Sequence, residues 1–69
     1  MQNHFIVNVS LDGRHFFATA PHSLVSELKA RAVYAELCIR FPAEGGWGVE
    51  LTEWKAQGTR LAERKGEPA

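Results

Sequence analysis

Hydrophobic and polar residues alternate through residues 4–11, placing Phe5, Val7, Val9 and Leu11 on one side of a strand and Ile6, Asn8 and Ser10 on the other. Asp12-Gly13 follows directly, the pair that most readily supplies the two positive φ angles of a type I′ hairpin turn. Residues 14–20 then return as a second strand. A two-residue loop pairs Leu11 with Arg14, Val9 with Phe16, Val7 with Ala18 and Phe5 with Ala20, so both apolar sets share one face. A slip of one residue would invert one strand, and this agreement between turn and pattern predicts the register.

The period changes at residues 23–41, SLVSELKARAVYAELCIRF, the only stretch long enough for a substantial helix. Pro21 and Pro42 bound it, and Pro42 disfavours helical geometry at Phe41. Either Ser23 or Ser26 can accept a backbone N–H and cap the first turn. Glu27 with Arg31 and Glu36 with Arg40 set an acid four residues before a base, worth roughly 0.2–0.5 kcal/mol each. At ~100° per residue the helix carries two apolar stripes. One holds Ala30, Val33, Tyr34, Leu37 and Phe41; the other holds Leu24, Val25, Leu28, Ala32, Ala35 and Ile39. The larger side chains favour Val33, Leu37 and Phe41 facing the sheet, with the alanine-rich stripe as the alternative. Whichever stripe is left over needs another cover, and Leu28, Ala32, Ala35 and Ile39 are candidate self-association residues for a homodimer.

Alternation resumes over residues 47–55, with Val49 and Leu51 inward and Glu50, Thr52 and Trp54 outward, after a turn-rich link containing Gly45-Gly46. Gln57-Gly58 is placed to turn this strand into a short fourth one near residues 59–61. The order is β-β-α-β, an α+β domain whose three-stranded antiparallel sheet has strand order 2-1-3 and packs on one helix. A parallel placement of the third strand beside the second is the alternative, and would obey the right-handed crossover rule. Residues 1–61 form the single domain, and residues 62–69, with little apolar surface to bury, form a flexible C-terminal tail.

Composition narrows the function. Sixty-nine residues make one small domain that buries only about 60% of its unfolded surface. The single cysteine excludes an internal disulfide, which suits a reducing cytoplasm. Eight basic and eight acidic residues cancel, so the broad positive field of a non-specific nucleic-acid binder is missing. No apolar run reaches the roughly 18–20 residues of a bilayer span, and the N-terminus has no secretory-signal pattern. The expectation is a soluble cytoplasmic protein with no membrane partner.

Candidate chemistry is sparse. His4, His15 and His22 lack metal-ligand spacing, and no cysteine pair joins them, so no metal and no cofactor is expected. Gly45-Gly46-Trp47-Gly48 lacks the Lys-Ser/Thr of a phosphate loop and leads into a strand. Cys38 has no evident activating base, and Asp12, the sole aspartate, is occupied in the turn. No catalytic residues are assigned, and the protein is read as a non-enzyme.

The signal that remains is the face of the sheet turned away from the helix. Ile6, Phe17 and Trp54 point there among His15, Asn8, Ser10, Thr19, Glu50 and Thr52, and exposed aromatics with polar neighbours mark interfaces. Trp47 among its glycines is a second aromatic candidate, a mobile tip at one end of the sheet. Ile6, His15, Phe17, Trp47 and Trp54 are therefore the candidate partner-binding residues, and the expected partner is another protein or a ribonucleoprotein complex. With FIVNVSLDGRHFFATA as hairpin, SELKARAVYAELCIRF as helix and GVELTEW as strand, the chain resembles in plan the small phage and mobile-element inhibitors of the anti-CRISPR kind. The likeness covers residues 5–54 as architecture, and carries no functional residue over. It implies an inhibitor or adaptor that blocks a CRISPR effector complex by occupying a surface. The alternative is single-stranded RNA or DNA stacking on Phe17 and Trp54, as on the open sheets of RNA-recognition domains.

Overall fold

The computed structural model describes residues 3–20 and 22–67. Pro21, the expected N-terminal bound of the helical stretch, and Pro68 and Ala69 of the expected tail lie outside the described residues. The chain is α+β, with strands β1 (His4–Leu11) and β2 (Arg14–Ala18), helix α1 (Glu27–Arg40), and strands β3 (Trp47–Trp54) and β4 (Gly58–Arg64). The four strands form one sheet in the order β2-β1-β3-β4, antiparallel throughout. β3 therefore enters beside β1, and the fourth strand exists and is longer than residues 59–61.

The first hairpin turns as its sequence dictates. Asp12 and Gly13 both have positive φ, 52° and 83°, and Leu11 pairs with Arg14 and Ser10 with His15. The register then shifts. Val9 lies opposite Phe17 and Asn8 opposite Ala18, so Phe16 is an extra residue in a β-bulge. The predicted pairs of Val9 with Phe16 and Val7 with Ala18 are thus replaced. Two adjacent phenylalanines cannot both face one side of a regular strand. The bulge absorbs Phe16 and turns Phe17 to the helix side. The exit of β2 is tied back by the Thr19 N–H donating to the Val7 carbonyl and the Val7 N–H donating to the Thr19 hydroxyl, both at 3.0 Å.

Ser26, not Ser23, caps α1, accepting from the Lys29 N–H at 3.4 Å, while Ser23 donates to the Ala20 carbonyl at 2.7 Å. Both expected ion pairs form, Glu27 with Arg31 at 2.7 Å and Glu36 with Arg40 at 2.9 Å. The helix turns Ala30, Val33, Tyr34, Leu37 and Cys38 toward the sheet, where Phe5, Val7, Val9, Val49 and Leu51 form the buried core. At an order of ~25 cal/mol per Å² of apolar surface, this one-sided core is the main favourable term in folding.

A short 3-10 turn (Ala43–Gly45) follows the helix, and Gly46 leaves it in the left-handed region at φ 86°. A side chain at Gly46 would strike the Asp12 carboxylate, so the position needs glycine twice over. The expected flexible tail begins differently. Ala62, Glu63 and Arg64 belong to β4, and the Glu67 N–H donates to the Ala43 carbonyl at 2.8 Å. Arg64 is the reason this end is anchored. Its guanidinium donates to the carbonyls of Cys38 (2.7 Å), Phe41 and Trp47 (2.8 Å), placing a cation against the last turn of α1. Two of these charge-assisted bonds satisfy carbonyls at the helix C-terminus, where intrahelical donors run out, and the third ties that end to the start of β3.

Candidate partner-binding surface

The pairing of β1, β3 and β4 fixes what each face of the sheet shows. Directly opposed residues share a face, so Ile6 with Thr52 and Arg60, Asn8 with Glu50 and Glu63, and His4 with Trp54 and Gly58 project away from α1. No element among the described residues covers this face. His15 joins it opposite Ser10, as expected.

Trp54 is 39% exposed, and its indole lies over Gly58, where a Cβ would meet the ring atoms. That stacking across the β3–β4 hairpin fills the space a side chain at Gly58 would take. Beside it, Thr52 is buried between Ile6 and Arg60 in the register, and its hydroxyl donates to Glu50 at 3.3 Å. Arg60 bridges Glu50 at 3.5 Å and Glu63 at 3.2 Å, holding two neighbouring carboxylates together. Toward the Asp12-Gly13 turn, the same face sinks into an open depression of about 880 Å³ lined by Asn8, Ser10 and His15. Asp12, Glu50, Glu63 and Glu67 also border it together with Arg64 and Lys65, so carboxylates outnumber cations in a mixed-charge rim.

Two predicted contact residues lie elsewhere. Phe17 was expected on the bare face; the bulge at Phe16 places it against the core, with its ring 5.5 Å from Phe41. Trp47 was expected as a mobile tip; it pairs with Leu11 and packs 4.8 Å from Phe41 and 5.0 Å from Phe16. Phe16 closes the loop at 5.8 Å from Phe17. Phe16, Phe17, Phe41 and Trp47 thus form a ring of four aromatic contacts that seals the helix-covered core at its hairpin end. Phe16 is the open member, 58% exposed, and sequence reasoning had placed it inward. The adjacency of two phenylalanines was the available signal for a bulge.

Among the described residues, no three His, Cys, Asp or Glu side chains gather as a metal-ligand set, and no helix is long and apolar enough to cross a membrane. His4 and His22 bring their rings to 4.1 Å. No protein family, no curated protein and no solved structure matches the chain. The surface itself is what remains to argue from. It offers one large indole and one aliphatic side chain at one end, and a polar hollow with a mixed-charge rim at the other.

Proposed function

We propose that the protein is a non-enzymatic binding module, an inhibitor or adaptor that acts by covering part of another protein with the bare face of its sheet. The observation that supports this most is the exposed indole of Trp54 beside Ile6 on a face that no element covers. Interface centres favour such aromatic anchors, and a polar, hydrogen-bonding rim around them is the usual arrangement. Here the hydroxyls of Ser10 and Thr52, the amide of Asn8 and the Arg60 network supply that rim.

The excess of carboxylates over cations around the hollow favours a partner that presents basic side chains there. The same rim is not the broadly basic surface that phosphates need, because Asp12, Glu50, Glu63 and Glu67 stand beside its two cations, Arg64 and Lys65. The stacking reading also loses its second ring, because Phe17 is on the other side of the sheet. A CRISPR effector complex is the partner class that the resemblance in plan implies, and it is the first to try.

The test pairs two readouts. Trp54→Ala and Ile6→Thr are expected to keep the thermal transition within a few degrees while abolishing relief of interference in a plasmid-challenge assay against a panel of CRISPR effectors. Wild-type protein that relieves interference in none of them removes the anti-CRISPR assignment. For the wider proposal, proteins captured from the native host by the wild type are compared with those captured by Trp54→Ala. An identical set from both removes the bare face as the binding surface.

A further inference from the structure

We infer that a second copy of this chain packs on the outer stripe of α1, antiparallel to the first, to give a two-fold dimer. Leu28 is 82% exposed and Ile39 is 75% exposed, and Ala32 and Ala35 between them also face outward. These four residues are spaced by four, three and four, the 3.5-residue period of a helix-pairing seam. The seam lies opposite Ala30 and Leu37, which hold the helix to the sheet, and no described residue of the same chain buries it.

The occupant follows from how the seam reads when reversed. Large-small-small-large along the helix is large-small-small-large again after a two-fold rotation about a point between residues 33 and 34. Leu28 then meets Ile39 of the second copy, and Ala32 meets Ala35 of the second copy. The paired alanines let the two helices approach closely while the end residues interlock. Self-complementarity of this kind is what an isologous contact requires.

Charge selects the antiparallel sense. In that arrangement Lys29, which makes no ion pair among the described residues, flanks Glu36 of the second copy, twice by symmetry, and shares that carboxylate with the Arg40 bonded to it at 2.9 Å. A parallel pair would instead bring Glu36 to Arg31, already bonded to Glu27 at 2.7 Å, and would align the two helix dipoles. A 14-residue helix is ~21 Å long, so the contact is small among specific interfaces and the dimer is a weak, concentration-dependent one. The assembly is sheet, helix, helix, sheet. It points the two bare faces outward in opposite directions, and a partner with repeated sites would be held at both ends.

Sedimentation equilibrium of the full chain, from micromolar to about 1 mM, tests this. A reversible monomer–dimer transition is expected, with Leu28→Glu abolishing it and leaving the melting transition in place. Lys29→Glu is expected to weaken the dimer about tenfold, and Glu36→Lys likewise, while the two together restore it to within about twofold. Trp54→Ala, on the other side of the sheet, leaves the constant unchanged, which separates this inference from the binding proposal above. A chain that stays monomeric at 1 mM overturns the inference, as does a dimer indifferent to Leu28→Glu. Weakening by Arg31→Glu with none by Lys29→Glu overturns the antiparallel sense.

Discussion

The two faces of the sheet are built from the same four strands and differ in what they present. On the helix side, Phe5, Val7, Val9, Val49 and Leu51 are buried, and the four-ring aromatic cluster closes one end. On the other side, the alternate residues of those strands are mostly polar, several tied together by Arg60, and Trp54 and Ile6 are the large apolar side chains among the described residues there. The difference teaches that the side chains that bury the core and those proposed to bind are separable here. One face holds the fold, and the other is left to present a surface.

The separation can be broken first where it is strongest. Leu51→Ala removes a side chain with no solvent exposure at the centre of the covered face, and a loss of about 2–5 kcal/mol in denaturant unfolding is expected. That is a large share of the stability of so small a domain. Arg64→Met comes next. It leaves two carbonyls at the helix end and the Trp47 carbonyl of β3 without their donor, and about 2–3 kcal/mol should be lost, with Arg64→Lys recovering part of it. On the bare face, Arg60→Gln should cost less than about 1 kcal/mol, because the ion pairs it gives up are solvent-exposed.

The smallest effect is a pH dependence on the covered side. Burial, and then the neighbouring Cys38, raise the phenol of Tyr34, the sole tyrosine, above its ordinary value near 10. The unfolded chain therefore gives up this proton at lower pH than the folded one does. Stability from Tyr34 is complete below the ordinary value and declines as pH rises through the folded one. Ultraviolet titration of the tyrosinate should show a late transition, and Tyr34→Phe should flatten the alkaline fall in melting temperature.

Much of this was legible in the chain. Alternation fixed both central strands, Asp12-Gly13 fixed the first turn, and the larger stripe of α1 did face the sheet. What escaped has a common cause. Phe16 and Leu61 are the extra residues of bulges on the two edge strands, where pairing on one side only lets the register shift. Each shift resets every later side chain on its strand, which moved Phe17 from one face to the other. Arg64 escaped because a charged residue near a chain end reads as solvated, and only the helix end arriving beside β4 gives its guanidinium three carbonyls to meet. The bare face was legible through Ile6, His15 and Trp54, but Phe17 and Trp47, two of the five candidate partner-binding residues, belong to the core side.

The most direct test of the separation between the faces is the unfolding free energy of the double variant Ile6→Thr, Trp54→Thr, measured beside Leu51→Ala under the same conditions. Threonine keeps the strand preference, so the change reports side-chain packing on the bare face. A loss of less than about 1.5 kcal/mol, well below that of Leu51→Ala, is the predicted result. A loss equal to or larger than that of Leu51→Ala would contradict the account, because the face assigned to binding would then be part of what holds the fold together.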